Sequence, residues 1–346
     1  MTRISRRTAR TASALTLGAL LVALAAPSVS VAATPAPTGL DPALVGVGAA
    51  EQVVVTGTSA AAARAALLAV GADHLRSLPI IDGWSARVRA GSLATLASSH
   101  GVVAVTKDRA VTFTGGAWDA SVTASPYAWN TQATDLWAGG RKGAGVTVAV
   151  LDTGVSQVPD LAGRLMAGPD LSGEGDNTTD SFGHGTVMAG IIGGSGVSAG
   201  AQPKTGVAPG ATVLSVKLAG RNGASDVSTV LAGLSWVGAF KDTYGIKVLN
   251  LSWGVPSTQD PSIDPVNFAV ERLWSLGVTV VVAAGNAGPN AATILKPGDD
   301  PLVITVGAYD EHGNSALGDD SIPAWSSQGP TAQGRAKPDL VAPGRT

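Results

Sequence analysis

Residues 146–154 read Val-Thr-Val-Ala-Val-Leu-Asp-Thr-Gly, an unbroken β-branched and apolar run that closes on a carboxylate and a turn. The run lacks the apolar–polar alternation of a half-exposed strand, so it predicts a strand, Val146 to Leu151, buried on both faces. Four more runs of this kind follow, at Thr212 to Leu218, Ile246 to Leu251, Val278 to Ala283 and Leu302 to Val306. Helix-length segments lie between several of them, at Val187 to Gly193, Ser225 to Phe240 and Pro265 to Leu276. That order predicts an α/β fold, a parallel sheet with helices on both faces, whose working residues gather where strands end.

Composition narrows the classes. Of 346 residues, 45 are Gly, nearly double the ordinary share of ~7%, and 14% are charged, well below the usual quarter. Buried sheet and tight turns fit these values; a coiled coil or a disordered chain does not. A net charge of -2 with dispersed Lys and Arg leaves no electrostatic footprint for nucleic acid. The absence of Cys excludes disulfides, zinc-thiolate sites and thiol nucleophiles.

The first 32 residues read as a secretory signal. Arg3, Arg6, Arg7 and Arg10 precede an uncharged Leu- and Ala-rich stretch, Ala12 to Ala26, which Pro27 breaks before the small residues Ser30, Ala32 and Ala33. The expected location is therefore extracellular. Residues 51–113 form a second unit, with strands expected at Gln52 to Val55, Trp84 to Val88 and Val102 to Phe113 and helices at Ser59 to Val70 and Gly91 to Ser99. This is a small α+β module, and the polar stretch Gly115 to Ser125 after it reads as an exposed linker.

The strand ends carry the chemistry. Asp152 ends the first buried strand, Gly183-His184-Gly185-Thr186 opens the helix that follows, and Ala284-Gly285-Asn286 closes the strand Val278 to Ala283. Singly, each has an ordinary reading: a turn Asp, a structural His, a turn Asn. Together they place a carboxylate, an imidazole and a side-chain amide at sites a parallel sheet brings close.

With these motifs and with Gly206-Val207-Ala208-Pro209, Asn250-Leu251-Ser252-Trp253-Gly254 and Lys337-Pro338-Asp339-Leu340-Val341-Ala342-Pro343-Gly344, the chain from about Ala128 onward resembles the subtilisin-like serine proteases. The resemblance implies an Asp-His-Ser mechanism on polypeptide substrates, without a required cofactor, in a secreted monomeric endopeptidase. It implies that Asp152 orients His184, that His184 is the general base, and that Asn286 donates to the oxyanion. It further implies that Ser252, Trp253 and Gly254 pair with the substrate backbone and, with Ala283, Ala284 and Gly285, wall the P1 pocket, and that Val227 lies in the upper substrate segment. Residues 33–118, with a core of 51–113, are similar to the ferredoxin-like inhibitory prosegment of these enzymes, an intramolecular partner of the catalytic domain 119–346. The walls of Ala and Gly and the apolar Val227 suggest room for large apolar P1 side chains.

The nucleophile is the departure. The family carries it in Gly-Thr-Ser-x-Ala-x-Pro, downstream of the Ala-Pro-Gly segment, and that motif is not among these residues. The expectation is a sequence that stops short of its serine, with a catalytically inactive peptide-binding module as the alternative. Gly57-Thr58-Ser59-Ala60-Ala61 repeats the short form, but Ser59 stands where a cap should open an Ala-rich helix. Ser326 and Ser327 lie in a turn. An aspartic protease would need a second Asp-Thr-Gly. His74, His100, His184 and His312 are too scattered in sequence for a metalloenzyme. Structural calcium is an open alternative. Asp160 matches a family position that sometimes ligates it, the remaining ligands falling in Ser195 to Thr205. Asp170, Glu174, Asp176 and Asp180, or Asp299 and Asp300, carry hard oxygens as well, their other reading being solvated acidic turns.

Overall fold

The computed structural model describes residues 39–113, 127–199, 204–314 and 316–345. The signal segment and the Gly115 to Ser125 linker lie outside the described residues.

The N-terminal module contains β1 (Glu51–Gly57), α1 (Ala60–Ala69), β2 (Asp73–Leu78), β3 (Gly83–Val88), α2 (Leu93–Ala97) and β4 (Val102–Lys107). Its antiparallel sheet has the order β2-β3-β1-β4. Ser59 caps α1, its hydroxyl accepting from the Ala62 amide at 3.2 Å, which settles its role as structural. Strand β2 was not expected from sequence. Its Asp-His-Leu-Arg-Ser-Leu is mostly exposed, at the sheet edge, and a register shift breaks its pairing, so no period-2 signal survives.

The expected strand Val102 to Phe113 is two strands. It breaks at Asp108 and Arg109, where the Arg109 guanidinium donates to both Asp41 oxygens at 2.6 and 2.8 Å. The second piece, β5 (Ala110–Phe113), leaves the module's sheet. Beyond it come α3 (Tyr127–Asn130), α4 (Ala133–Ala138), β6 (Thr147–Asp152), β7 (Leu165–Asp170), α5 (His184–Gly193), β8 (Thr212–Lys217), β9 (Ser225–Asp226), α6 (Val227–Phe240) and β10 (Ile246–Leu251). The remaining elements are β11 (Trp253–Gly254), α7 (Pro265–Ser275), β12 (Thr279–Ala283), β13 (Ile304–Tyr309) and β14 (Leu340–Pro343).

Seven of these strands make one parallel sheet in the order β14-β13-β12-β10-β6-β8-β7. Every residue of β6 is buried, as its uninterrupted apolar run requires. Successive side chains of a strand point to opposite faces, and β6 divides accordingly. Ala149 and Leu151 join the large core with Leu231 and Leu234 of α6 and Val270 of α7, while Val150 packs with Ala189 of α5. Helices thus cover both faces, as expected. The strands missed in sequence, β7 with its Gly168-Pro169 and β14, are the two sheet edges, where Gly and Pro are tolerated and the apolar signal is weak.

The N-terminal module packs on α6 and α7. Leu78, Ile80 and Ile81 enter the same core cluster as those helices, and Arg272 pairs with Asp82 at 2.9 Å. Helix α6 begins at Val227 rather than at Ser225, because Asp226 is its cap, accepting from the Thr229 amide at 2.7 Å. Ser225 and Asp226 are instead free to pair with β5.

Candidate active site

The C-terminal end of β6 delivers Asp152, fully buried, and the first residue of α5 delivers His184. Asp152 Oδ1 lies 2.7 Å from His184 Nδ1. The Thr153 amide donates to the same oxygen at 2.7 Å, while Oδ2 is buried without a partner. Burial pushes the Asp152 carboxyl up, against the bonds from His184 and the Thr153 amide that favour its charge. A carboxylate stripped of water exerts its full pull on an adjacent imidazolium.

The His184 turn is built around Asp180, which the sequence marked only as a possible calcium oxygen. Asp180 accepts from the Gly183 amide at 2.7 Å, from the Thr186 amide at 2.8 Å and from the Thr186 hydroxyl at 2.8 Å, and from the Thr153 hydroxyl at 2.8 Å. The Thr153 hydroxyl in turn accepts from the Gly185 amide at 2.9 Å. One carboxylate therefore satisfies the start of α5 and ties it to the residue after Asp152. The signal was an acidic residue just ahead of a helix start, the ordinary mark of an N-terminal cap. Gly185 has a second requirement: a methyl group there would collide with the Gly154 carbonyl and lie 3.1 Å from Asp152 Cβ. The bare Cα on that side serves the close approach of β6 and α5.

The residues expected on the substrate side divide between backbone and core. Trp253 is fully buried, its indole donating to the Leu151 carbonyl at 3.2 Å, so only its backbone faces the site. Ser252 is half-buried, its hydroxyl accepting from the side-chain Nδ2 of Asn250 at 2.9 Å. Val227 is buried and packs with Val111 and Trp253 in one core cluster. Ala283 ends β12, Ala284 and Gly285 are buried, and Asn286 is exposed just beyond. Gly285 has φ +112°, a conformation that excludes a side chain there.

Between these segments lies β5. It pairs antiparallel with β9 on one side and with β11 on the other, placing Ala110 opposite Asp226, Thr112 opposite Gly254 and Phe113 opposite Trp253. The Phe113 ring stands 5.8 Å from the His184 ring. A stretch of the chain's own N-terminal module thus runs as the middle strand of three, ending against the imidazole.

A family model described as the subtilase family, Peptidase S8, matches residues 143–346. The chain belongs to the subtilase family. It is 39% identical over 207 residues to the serine protease AprX of Bacillus subtilis (strain 168), covering 58% of this chain and 47% of that protein. It is 37% identical over 207 residues to subtilisin Savinase of Lederbergia lenta, covering 59% and 66% of the two. This subtilase thus spans about half the length of the first of these relatives and about two thirds of the second. Fervidolysin from Fervidobacterium pennivorans, a keratinolytic enzyme related to subtilisin, matches in structure with a TM-score of 0.62 at 24% identity, over 86% of this chain and 47% of that one. At that identity the likeness speaks to fold.

The acidic residues considered for calcium are engaged within the subtilase itself. Asp170 accepts from the amides of Ser172, Gly175 and Asp176, and Glu174 accepts from Lys217 Nζ at 2.8 Å. Lys217, 1% exposed, also donates to the carbonyls of Asp176 and Thr179. Asp160 accepts from the Ser198 amide at 3.4 Å. Asp299 and Asp300 are buried around Asn267, and Asp299 pairs with Lys296. Among the described residues no three His, Asp or Glu side chains are grouped to hold a metal ion, and no helix is long and apolar enough to cross a membrane.

Proposed function

We propose that the chain belongs to a secreted serine endopeptidase in which Asp152 and His184 activate a serine that is not among these 346 residues. The observation that carries this reading is the 2.7 Å contact between Asp152 Oδ1 and His184 Nδ1, beside the end of β5. With Nδ1–H donated to the carboxylate, the lone pair that accepts a serine proton belongs to Nε2. The buried carboxylate then stabilises the imidazolium as the serine oxygen attacks. Asn286, exposed at the end of β12, is the proposed side-chain donor to the oxyanion.

In the same reading residues 33–118 are an inhibitory prosegment and 1–32 a signal. The pairing of β5 on both sides supports it, since an extended peptide added between two strand edges is how a substrate backbone would be gripped. The chemistry needs no cofactor, and the partners are polypeptides. Expression of the whole coding sequence, including the codons after 346, tests the proposal. Casein or peptide hydrolysis abolished by a serine-directed fluorophosphonate and by His184→Ala supports it. A whole product that binds β5-like peptides without hydrolysing any would instead be a peptide-binding module.

A further inference from the structure

The cleft has a floor that the sequence reading did not include. Leu295 lies in the connection between β12 and β13, and its side chain fills the gap between the two walls expected to bound the P1 pocket. A methyl group added at Gly254 would lie 2.6 Å from Leu295 Cβ and Cδ1, and one added at Gly285 would lie 2.6 Å from Leu295 Cγ and 2.7 Å from Cδ1. One isobutyl group therefore touches both walls at once. Both glycines are needed to admit it, and the space their missing side chains leave is already taken.

The floor is also rigid. The Leu295 amide donates to the Ala284 carbonyl at 2.9 Å, which fixes it to the wall that carries Gly285. Its neighbour Lys296 exchanges two 3.0 Å backbone bonds with Val255, the residue after Gly254 on the other wall. The Lys296 side chain, 1% exposed, is anchored by Asp299 at 2.7 Å and Asn267 at 3.4 Å. The backbone that carries Leu295 is thus stitched to both walls.

We propose that Leu295 closes the bottom of the P1 pocket and restricts cleavage to peptides with a small residue, Ala, Ser or Thr, on the acyl side of the scissile bond. This rests on the peptidase reading above and reverses the expectation of large apolar P1 residues drawn from the small residues of the walls. Each methylene that a pocket cannot house changes kcat/KM by about 10–200-fold, so the discrimination is large.

The test uses the whole gene product and the peptide series Ala-Val-Thr-Phe-X-p-nitroanilide, in which the first four residues copy β5 and X is Ala, Thr, Leu or Phe. The expected result is a kcat/KM for Ala and Thr at least tenfold above that for Phe. Leu295→Gly and, as a milder change, Leu295→Ala should each raise the Phe-to-Ala ratio at least tenfold, mainly through KM. A wild-type enzyme that cleaves the Phe peptide as fast as the Ala peptide overturns the proposal without recourse to any variant, as does an unchanged ratio in a folded Leu295→Gly enzyme. Failure to cleave any of the four peptides, or casein, would overturn the peptidase reading itself and this inference with it.

Discussion

Asp108 of the N-terminal module accepts a 2.9 Å hydrogen bond from the Ser228 amide in the first turn of α6. That helix already has its own cap in Asp226, which accepts from the Thr229 amide at 2.7 Å. Two carboxylates therefore share one helix N-terminus, one of them supplied by the segment proposed to leave.

This juxtaposition makes docking of the module pH-dependent. Burial, and then the Asp226 charge, push the Asp108 carboxyl from 3.8 up to about 6, against the Ser228 bonds and the Arg76 charge. The docked module holds this proton more tightly than the free one, so docking is strongest below about pH 4 and weakens until the pH passes about 6. An isolated 33–118 peptide should inhibit the mature enzyme with a constant that rises about 30-fold between those limits. Asp108→Asn should flatten that rise, and a slope unchanged in the variant would place the titration elsewhere.

Asp152→Asn keeps a bond to His184 but favours the wrong tautomer. We expect kcat to fall by about 10⁴-fold while inhibition by the 33–118 peptide changes little, since β5 grips strand backbone rather than the carboxylate. Equal losses in catalysis and peptide binding would mean that the substitution had disrupted the fold.

Asn286→Ala should lower kcat by about 10²–10³-fold with little change in KM, the magnitude known for such a donor in a subtilisin. Steady-state kinetics decide the matter: a rise in KM comparable to the fall in kcat would assign Asn286 to ground-state binding instead.

Lys296 is the buried cation that Asp299 and Asp264 surround, at 2.7 and 3.9 Å. Lys296→Ala leaves those acids uncompensated and should cost about 3–5 kcal/mol in denaturant unfolding. Lys296→Met combined with Asp299→Asn should cost markedly less, because it removes charge from both sides of the pair.

The oxygens of Glu174, Asp176 and Thr179 converge on the Lys217 ammonium, which supplies the positive charge there. Thermal melting of the protein should therefore give the same midpoint with and without EDTA. A fall of several degrees would assign a structural cation to this subtilase.

Much of this was legible in the sequence because buried parallel strands announce themselves. Runs such as Val146 to Leu151 fixed the centre of the sheet, and Asp152 and His184 stood out because they close or open such elements. The edges β7 and β14 were illegible for the opposite reason, since half-covered strands carry Gly, Pro and polar residues. Asp180 read as a possible calcium oxygen, because its work depends on the turn of α5 folding back over it. Leu295 gave no signal at all: a leucine in a connection becomes the floor of a pocket only when Gly254 and Gly285 are brought to either side of it. Asp108 was hidden within an apparently continuous strand, and its bond to the Ser228 amide of α6, beside the Arg109 pairing with Asp41, appears only once the chain is folded.

With β5 withdrawn, β9 and β11 would face each other across a slot one strand wide, each with main-chain groups left to pair. Such a slot accepts a lone extended polypeptide and turns away helices and intact sheets whatever their sequence. The susceptibility of a folded target would then follow the free energy needed to peel a few of its residues away from their own neighbours. On the proposed peptidase reading, selection among folded proteins would fall first on frayed termini and loose loops, and only afterwards on the side chain that meets Leu295.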